Sequence, residues 1–364
     1  MPKINPYEVE GKIDYNKIVE EFGATLIDDN LLRKIKHLHP LLRRHYFFAH
    51  RDFDKVLHYH SQGNKFALVS GRGPSANMHL AHLLLYNFNK YIQDEFGAFV
   101  FVPFSDDEKF MFKQELDFET VQKFAYENAL DMAAIGFDPK KTEFLFDLKH
   151  MNQDLYNLSV KCAKRITLST VKSAFGFSEQ NNIGSTFYPA MQAAHILYPT
   201  VKYGLPSLVT VGIDQDVFIK VTRDVAGAFK LPKPAALLSR FMKDLGGGTK
   251  MSASKAETTI YTTDSDAEIK AKIMRAFTGG RETVAEQRKL GANPDVCSVY
   301  EYLTLFFLDN DFEVENLRQE CKTGKILCGE CKERLVCHIQ KFLTDHKKKR
   351  EKAKQTLHLY TKTD

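Results

Sequence analysis

Residues 65–75 read Lys-Phe-Ala-Leu-Val-Ser-Gly-Arg-Gly-Pro-Ser, and this stretch decides the fold of the chain. Its first six residues form a short apolar run typical of a buried strand, which the glycine- and proline-containing turn ends. A helical pattern follows over residues 78–91. A strand, a glycine turn and a helix in this order are typical of an α/β nucleotide-binding unit, because the turn lets backbone N–H groups approach a phosphate.

The same alternation continues along the chain. Residues 98–104, 142–146 and 208–211 are further apolar strands, and a helical pattern covers residues 119–134. The run at 98–104 is almost wholly apolar, as expected for a strand covered on both faces. Strands separated by helices predict an α/β fold with a Rossmann-like, doubly wound parallel sheet, whose ligand site lies at the carboxyl ends of the strands.

The pattern changes in the last hundred residues. Beyond residue 264 we find no convincing strand, and helical periodicity dominates; the helical segments are 267–277, 298–308, 313–321 and 328–346. We therefore predict three parts. They are a helical N-terminal appendage (1–62), a Rossmann-like nucleotide-binding domain (63–264) and an all-helical domain (265–364), with the last helix a candidate to pack back on the sheet domain.

Composition and charge exclude several classes of protein. Of the 364 residues, 43% are hydrophobic and 27% charged, which is typical of a soluble globular protein. No apolar run approaches the ~20 residues that span a bilayer, and the first residues lack a signal or transit pattern, so we expect a cytoplasmic protein without a membrane partner. The net charge of +5 does not by itself require a polyanion. A basic run at 347–354 either meets phosphate backbone or is a solvated helix face.

Cysteine spacing gives a weak metal signal. Cys321, Cys328, Cys331 and Cys337 lie close together in the sequence, and the spacing of Cys328 and Cys331 suits zinc. The outer spacings are irregular and no second Cys-x-x-Cys pair completes a site. Free thiols are therefore the preferred interpretation, and we expect no metal at these positions.

Two segments carry the nucleotide signal. Residues 78–82 read Met-His-Leu-Ala-His, which places His79 and His82 on one helix face, where both imidazoles can donate to phosphate oxygens. Residues 249–254 read Thr-Lys-Met-Ser-Ala-Ser after a run of three glycines expected to be mobile. Lys250 on such a hinged loop can neutralise charge on departing pyrophosphate. Each signal alone is common, whereas the two together after a parallel sheet are specific.

These segments resemble the His-Ile-Gly-His and Lys-Met-Ser-Lys-Ser motifs of class I aminoacyl-tRNA synthetases, and within that class the eukaryotic and archaeal tryptophanyl branch. The resemblance covers about residues 44–341; the matching pieces are 47–52, 71–75, 105–109, 187–194, 212–216, 222–226 and 276–281. It implies a homodimeric enzyme that uses ATP and Mg²⁺ to form an aminoacyl-adenylate from tryptophan and transfers the amino acid to tRNA-Trp. It also implies that the helical domain binds the anticodon end of the tRNA.

The resemblance assigns roles to individual residues. Positions matching the ATP site are Gly71, Gly73, His79, His82, Lys250, Met251, Ser252 and Ser254, of which His79, His82 and Lys250 are the catalytic ones. Positions matching the site for the α-amino group of the amino acid are Glu108, Gln192 and Gln215. Positions matching the tRNA-binding part of the helical domain are Arg281, Asn293 and Asp295.

Three positions depart from the family pattern. Val69 and Pro103 stand where the family has a tyrosine and a glutamine that read the indole N–H, and neither side chain can accept a hydrogen bond. A buried indole donor left unpaired costs about 1–3 kcal/mol. Pro103 also removes a backbone donor from an interior strand, which predicts a local distortion. Ala81 replaces the glycine between the two histidines and adds a methyl group where adenine approaches.

Three functions follow from this combination. The retained Lys250, Glu108, Gln192 and Gln215 favour a working tryptophan–tRNA ligase with a rearranged pocket. The departures favour a paralogue that has lost or weakened adenylate formation and acts as a tRNA-binding or regulatory protein. A third possibility is an adenylate-forming ligase for another apolar amino acid.

Overall fold

The structure is a computed structural model that describes residues 3–5, 8–10, 14–252 and 255–361. Its strands are β1 Lys3–Asn5, β2 Glu8–Glu10, β3 Thr25–Leu26, β4 Phe47–Arg51, β5 Ala67–Val69, β6 Phe99–Phe104, β7 Thr142–Phe146, β8 Ser207–Gly212 and β9 Ala235–Ser239. Its α-helices are α1 Tyr15–Phe22, α2 Asp29–Leu32, α3 Pro40–Arg43, α4 Phe53–Ser61, α5 Leu80–Phe96, α6 Asp106–Phe112, α7 Phe118–Ile135, α8 Asp147–His150, α9 Gln153–Ala163, α10 Leu168–Phe175, α11 Ile183–Tyr203, α12 Asp216–Ala228, α13 Asp266–Met274, α14 Val284–Leu290, α15 Ser298–Phe306, α16 Asp311–Lys322 and α17 Cys328–Thr356.

Seven strands form the central sheet, in the order β3-β4-β9-β8-β5-β6-β7. The five strands from β5 to β9 are parallel, and β3 and β4 add an antiparallel edge. Numbered along the chain, the parallel strands have the order 3-2-1-4-5, which is that of a Rossmann-type sheet. The predicted fold class is therefore confirmed. A separate two-stranded sheet pairs β1 with β2.

The interior of the sheet is apolar because its central strands are covered on both faces. Every residue of β5, β7 and β9 is buried, as the near-continuous apolar runs predict. Capping side chains mark the starts of helices that connect the strands. Asp117 caps α7 by accepting from the Thr120 N–H at 2.7 Å, and Asn182 caps α11 through the Ser185 N–H at 2.8 Å.

The N-terminal region departs from the expectation that residues 1–62 are helical. Strands β3 and β4 lie within it and extend the sheet beside β9. Arg51 at the end of β4 makes a bidentate ion pair with Asp216 of α12, with N–O distances of 2.6 and 2.7 Å. Residues 25–26 and 47–51 are therefore built into the sheet, and a wholly helical appendage was wrong because β4 pairs with β9, far along the chain.

Pro103 lies in β6, between β5 and β7, without the distortion expected for a proline there. The pairing of β6 with β7 runs in register from Val100 to Phe104. Strand β5 pairs with β6 as far as Phe101, and the bridge between Arg72 and Phe104 resumes this pairing, so the missing N–H of Pro103 falls in the gap between them. The carbonyl of Pro103 is used, since it accepts from the Arg72 N–H at 2.8 Å.

The chain forms two compact units. Unit 1 consists of Met1–Ala76, Leu85–Arg240 and Lys352–Asp364, and unit 2 of Asn77–Leu84 and Phe241–Glu351. The sheet lies wholly in unit 1, whereas the described part of unit 2 is mainly helical. The division at residues 62 and 264 stays a prediction. Among the described helices, none combines the length and apolar character needed to cross a membrane.

Candidate active site

The order of the parallel strands reverses at β5, which has β6 on one side and β8 on the other. In doubly wound sheets, the crevice outside the carboxyl ends at such a reversal is the ligand site. The turn with Gly71 and Gly73 follows β5, the helix with Glu108 follows β6, and Gln215 follows β8. Four residues predicted from the sequence thus follow three neighbouring strands in unit 1.

The glycine turn is held against the end of β6. The Ser105 N–H donates to the Arg72 carbonyl at 2.9 Å, which continues the parallel pairing beyond β5. The Arg72 side chain donates from Nε to Asn128 Oδ1 and from Nη1 to the Gly73 carbonyl, both at 2.7 Å. Arg72 and Asn128 therefore fix the turn. Arg72 was visible in the motif, but its contact with Asn128 joins residues far apart in the sequence.

Gly73 leaves space for the carboxylate of Glu108. A Cβ atom at Gly73 would lie 2.7 Å from Glu108 Oε2 and would overlap the end of the Lys109 side chain. Glu108 is 7% exposed, and its Oε2 lies 2.9 Å from Lys109 Nζ. A buried carboxylate beside the crevice is a strong acceptor for an ammonium group. The approach of Gly73 to Glu108 thus joins two of the predicted site residues.

Gln192 is joined to the same corner through Tyr188 of α11. The Tyr188 hydroxyl donates to Gln192 Oε1 at 2.6 Å and lies 3.1 Å from Ser105 Oγ. Ser105 immediately precedes α6, which carries Glu108. Gln215, at the end of the turn after β8, donates from Nε2 to Asp214 Oδ2 at 3.0 Å. Tyr188 thus connects Gln192 to Ser105; it lies within the matching piece 187–194, but the pattern does not show its contact with Ser105, which lies far away in the sequence.

Asp106, Asp107 and Asp147 form an acidic cluster at the start of α6. Asp106 Oδ1 accepts from the Leu148 N–H at 2.9 Å, and Asp107 Oδ1 accepts from the Glu108 N–H at 2.6 Å. Asp147 follows β7, and its Oδ1 lies 2.9 Å from Nε2 of His195. Neither side chain is exposed. The pair Asp106 and Asp107 was visible in the sequence, but its contacts with Asp147 and His195 depend on long-range packing.

Burial decides the protonation of this cluster. Loss of solvation raises the pKa of Asp107 to about 8 and that of Asp106 to about 6, and it holds the pKa of Asp147 well above its usual range. The same burial lowers the pKa of His195 to about 4, so its imidazole is neutral in the 2.9 Å hydrogen bond between Nε2 and Asp147 Oδ1. Burial therefore favours the protonated forms of Asp107 and Asp147, whose side chains are in hydrogen-bonding contact.

Val69 and Pro103 form apolar surface beside the glycine turn. Val69 is 2% exposed and pairs with Phe101 on one side and Val209 on the other. Pro103 is buried as well. Its ring lies 3.4 Å from the position that a Cβ of Gly71 would take. The two departures from the family pattern therefore lie next to the crevice and supply no side-chain acceptor.

The histidine segment belongs to unit 2. The Leu80 N–H donates to the Ile260 carbonyl at 3.1 Å, and the Thr262 N–H donates to the Met78 carbonyl at 2.9 Å. This pairing attaches His79 to residues that follow the Lys250 loop by about ten positions. Both halves of the nucleotide signal are thus brought into one unit.

The two imidazoles stack. Their ring centres are 3.6 Å apart, and the backbone N–H of His79 donates to Nδ1 of His82 at 3.2 Å. This bond places the proton of a neutral His82 on Nε2, which can donate to a phosphate oxygen. His79 is 5% exposed and His82 is half-buried, so His82 presents the more accessible donor. Ala81, between them, is also half-buried.

The Lys250 loop begins with a packed glycine turn rather than a mobile run. Gly247 has φ +84°, and a Cβ there would lie 2.7 Å from the Phe277 ring. The Gly248 N–H donates to Asp244 Oδ1 at 2.8 Å. The hinge expected here is therefore a hydrogen-bonded turn, which requires glycine because of its backbone angle and its close neighbour.

Beyond the turn, Lys250 Nζ lies 5.1 Å from the centre of the Phe241 ring. Met251 is 3% exposed and donates its N–H to the Met242 carbonyl at 2.8 Å. The carbonyl of Ser252 accepts from the Thr259 hydroxyl at 2.8 Å. Ser254 lies outside the described residues.

The three residues expected to bind tRNA lie close together in unit 2. Arg281 donates from Nε to the Gly291 carbonyl at 3.1 Å, and Asn293 Oδ1 accepts from the Asp295 N–H at 3.0 Å. Asp295 makes a bidentate ion pair with Arg318, at 2.6 and 3.0 Å, which holds the pKa of Asp295 below its usual range. All three predicted residues are exposed.

Comparison with known proteins gives consistent matches. The family model described as class I tRNA synthetases (W and Y) matches residues 61–344. A tryptophan–tRNA ligase from Pyrobaculum arsenaticum is 45% identical over 357 residues, which are 96% of this chain and 95% of that protein. The tryptophanyl-tRNA synthetase structure from Aeropyrum pernix is 33% identical with a TM-score of 0.89, over 96% of this chain and 97% of the other. One from Encephalitozoon cuniculi, bound to tryptophan, is 32% identical with a TM-score of 0.87, over 96% and 98%.

Proposed function

Because this chain belongs to the class I tRNA synthetases of the W and Y family, we propose that it activates tryptophan with ATP and transfers it to tRNA-Trp. The observation that carries the proposal is the corner at the carboxyl ends of β5 and β6, where Gly73 makes room for Glu108 and Tyr188 holds Gln192. High identity to tryptophan–tRNA ligases over nearly the whole chain favours tryptophan over other apolar amino acids.

Binding of the amino acid is assigned to residues of unit 1. Glu108 is the anionic partner of the substrate ammonium, and the side-chain amides of Gln192 and Gln215 add acceptors. The raised pKa values of Asp107 and Asp147 matter here, because a protonated carboxyl group does not repel the charge of Glu108. His195 and Asp147 are positioning residues, since they act through α6 rather than on the substrate.

ATP binding is assigned to the turn with Gly71 and Gly73 and to residues of unit 2. A carboxylate oxygen of the amino acid attacks the α-phosphorus of ATP, and the bond from that phosphorus to pyrophosphate breaks. His79, His82 and Lys250 neutralise the charge that collects on the departing pyrophosphate, with Met251, Ser252 and Ser254 completing the loop.

Imidazole and ammonium groups suit phosphate oxygens and are poor ligands for Mg²⁺. Mg²⁺ is therefore held mainly by the phosphates of ATP, as is usual for such substrates, and when bound it adds to the charge neutralisation. Within the described ranges, no three histidine, cysteine or acidic side chains form a site for a metal ion. In this proposal, His79, His82 and Lys250 supply the protein's own share of the neutralisation.

The helical unit supplies the tRNA contacts in this proposal. Arg281 and Asn293 are exposed donors suited to unpaired bases near the anticodon, while Asp295 orders the surface through its ion pair with Arg318. Charging of cytoplasmic tRNA is the proposed role in the cell.

A homodimer is supported by an apolar groove on unit 1. The groove, of about 250 Å³, is lined mainly by apolar side chains of α9, α10 and α11 and the turn before α10, namely Ala163, Ile166, Leu168, Val171, Ile183, Thr186, Phe187 and Ala190. Ile183 is 87% exposed and Leu168 54% exposed. Large apolar side chains clustered at the surface are typical of an interface, and a second copy of this chain is the partner that we propose.

Pyrophosphate exchange, measured with each of the twenty amino acids beside tRNA binding, tests the function. We expect exchange that depends on tryptophan. Exchange with another apolar amino acid alone would contradict the substrate. Val69 and Pro103 are buried and apolar, and they favour a second candidate function: a paralogue that binds tRNA without activating an amino acid. This function predicts no exchange with any amino acid, together with salt-sensitive tRNA binding.

A further inference from the structure

A further cavity of unit 1 opens at the amino-terminal ends of the parallel strands. It has a volume of about 540 Å³, and its lining includes Phe66 just before β5, Ser207 at the start of β8 and Ala235 at the start of β9. Parallel strands begin at one edge of a sheet and end at the other, so this cavity lies opposite the candidate active site. A strand rises about 3.3 Å per residue, so β8 alone separates the two edges by roughly 15–20 Å.

The volume of the cavity is that of a small-molecule site. Such sites usually enclose ~300–1,000 Å³ and combine apolar walls with a few polar groups. The apolar part of the lining includes Val56, Phe66 and Pro206. Val56 and Phe66 are both buried, so they form the floor of the cavity rather than its rim. The apolar body of a ligand would therefore lie over this floor.

Packing and hydrogen bonds fix the floor of the cavity. The centre of the Phe66 ring lies 6.0 Å from the ring centres of both His60 and Phe96. The Ala67 N–H donates to the Pro206 carbonyl at 2.9 Å, which joins the segments that lead into β5 and β8. The floor thus needs no rearrangement to accept a ligand, as is usual for small-molecule sites.

The charged residues of the lining are mostly basic. Among the eleven described residues that line the cavity, Lys55, Arg223 and Lys233 are basic and Asp52 is acidic. Asp52 Oδ1 lies 2.7 Å from Lys55 Nζ, and its Oδ2 accepts from Arg223 Nη2 at 2.7 Å. Three positive charges and one negative charge leave the lining with a net charge of +2. The cavity therefore favours an anion.

The three cations differ in mobility. Arg223 is held in place, because its Nη1 donates to the Pro234 carbonyl at 2.8 Å while its Nη2 donates to Asp52. Lys55 and Lys233 are exposed, and a lysine side chain is a flexible stem that can bring its ammonium group to a ligand. One fixed and two mobile cations beside an apolar floor suit an anionic group on an apolar body.

We propose that this cavity binds a small organic anion, with a flat apolar body over Val56 and Phe66 and a carboxylate or phosphate group beside Lys55 and Lys233. Both kinds of anionic group accept charge-assisted hydrogen bonds from ammonium and guanidinium groups. The site is separate from the residues assigned to the amino acid and to ATP, so it adds a second ligand to the proposed function.

Calorimetric titration of the full chain with naphthoate, and separately with naphthyl phosphate, tests the proposal. We expect saturable binding of at least one of these anions at one site per chain, and the tighter of the two identifies the anionic group. Naphthylmethylammonium has a similar aromatic body and the opposite charge, and it should bind about tenfold more weakly or worse. Binding of neither anion at millimolar concentration, or equally tight binding of the cation, would overturn the site.

Two comparisons separate this cavity from the candidate active site. Excess tryptophanamide, which keeps the ammonium group of the amino acid and lacks its carboxylate, should leave the affinity for the anion unchanged. Lys250→Ala should also leave it unchanged, because Lys250 lies in unit 2 and does not line the cavity. Displacement of the anion by tryptophanamide, or loss of anion binding in K250A, would show that the anion occupies the active site instead.

Lysine variants identify the cavity itself. Lys233→Glu replaces an attractive charge with a repulsive one and should abolish anion binding, and Lys55→Ala should weaken it several-fold. Lys123→Glu, at an exposed position of α7 outside the cavity, is the matched control and should bind like wild type. Unchanged affinity in K233E, or an equal loss in K123E, would contradict the assignment.

Salt dependence of the wild-type protein covers the case in which K233E does not fold. Raising the salt concentration should weaken binding of the anion, because salt screens attraction between partly exposed charges. An affinity that does not change with salt would contradict a site built on Lys55 and Lys233.

Discussion

Gly73 sets the space beside Glu108, the proposed partner of the substrate ammonium group. Alanine at this position would push against Glu108 and Lys109, whose side-chain ends can move, so the fold should survive while Glu108 is displaced. We expect Gly73→Ala to raise KM for the amino acid by roughly tenfold or more, since a charge-assisted hydrogen bond contributes about 1.5–3 kcal/mol. Pyrophosphate exchange at varied amino-acid concentration measures this. Gly329→Ala is the control, because a Cβ there meets no atom within 4 Å; equal KM values for G73A and wild type would contradict the role.

In the proposed reaction, Lys250 acts at the step where pyrophosphate leaves. Removing its ammonium group should lower the kcat of exchange by about 100- to 1000-fold, with little change in KM for the amino acid, because the charge it neutralises develops in the transition state. Exchange kinetics of Lys250→Ala provide the measurement. Lys270→Ala removes a charge from an exposed site in the same unit and should behave like wild type. A K250A enzyme altered only in KM would exclude this role.

Asp107 makes stability depend on pH. Its pKa of about 8 in the folded protein lies above the usual value of 3.8, so the folded state binds its proton more tightly than the unfolded state. The resulting stabilisation is complete below about pH 4 and is lost as pH rises through 8. Asp107→Asn keeps the acceptor for the Glu108 N–H, and its stability relative to wild type should rise between pH 5 and pH 8. Urea unfolding at both values checks this, with Asp94→Asn as an exposed control; a constant difference would contradict the assigned protonation.

Among the elements, those with continuous apolar patterns were predictable. Strands β5 to β8 and helices α7, α15 and α17 fall where the runs and periods of the sequence place them. Strand β9 was missed because Ala and Leu in Ala235–Ser239 favour helix locally, and burial between β4 and β8 overrides that preference. Strand β4 was missed because its partner in the sheet, β9, lies almost two hundred residues away in the sequence.

The predicted site residues come from motifs, and the residues that hold them come from packing. Glu108, Gln192 and Lys250 could be identified from short patterns. Tyr188 and His195 could not, because their partners Ser105 and Asp147 come from other segments of the chain.

Edge strand β7 is protected by the last described residues of unit 1. The Phe144 N–H donates to the Tyr360 carbonyl at 2.8 Å, the two rings stack, and the buried Tyr360 hydroxyl donates to the Phe137 carbonyl at 2.8 Å. Tyr360→Phe should lower the free energy of unfolding by about 1 kcal/mol through loss of the hydroxyl bond. Urea unfolding measures it, and Tyr126→Phe at an exposed site is the control. Equal midpoints for Y360F and wild type would show that the contact does not stabilise this element.

At the scale of the whole molecule, the exposed groove of α9 to α11 should decide the oligomeric state. Ile183→Lys places a charge in the apolar groove, and we expect a dimer in wild type to become a monomer, because burying an unpaired ammonium opposes association. Light scattering with size-exclusion chromatography reports the mass. Val201→Lys, at an exposed position on the same helix outside the groove, should leave the dimer intact. A dimeric I183K, or a monomeric wild type, would rule out this interface.

In the proposed reaction, the residues assigned to the amino acid lie in unit 1, and the histidine pair, Lys250 and the residues assigned to tRNA lie in unit 2. The central claim is that these parts still make one tryptophan–tRNA ligase despite Val69 and Pro103. Charging of a tRNA-Trp transcript with labelled tryptophan, in the presence of ATP and Mg²⁺, tests it most directly. The account predicts that tryptophan becomes esterified to the transcript and that Lys250→Ala abolishes most of the rate. Binding of the transcript without any attached tryptophan would contradict it.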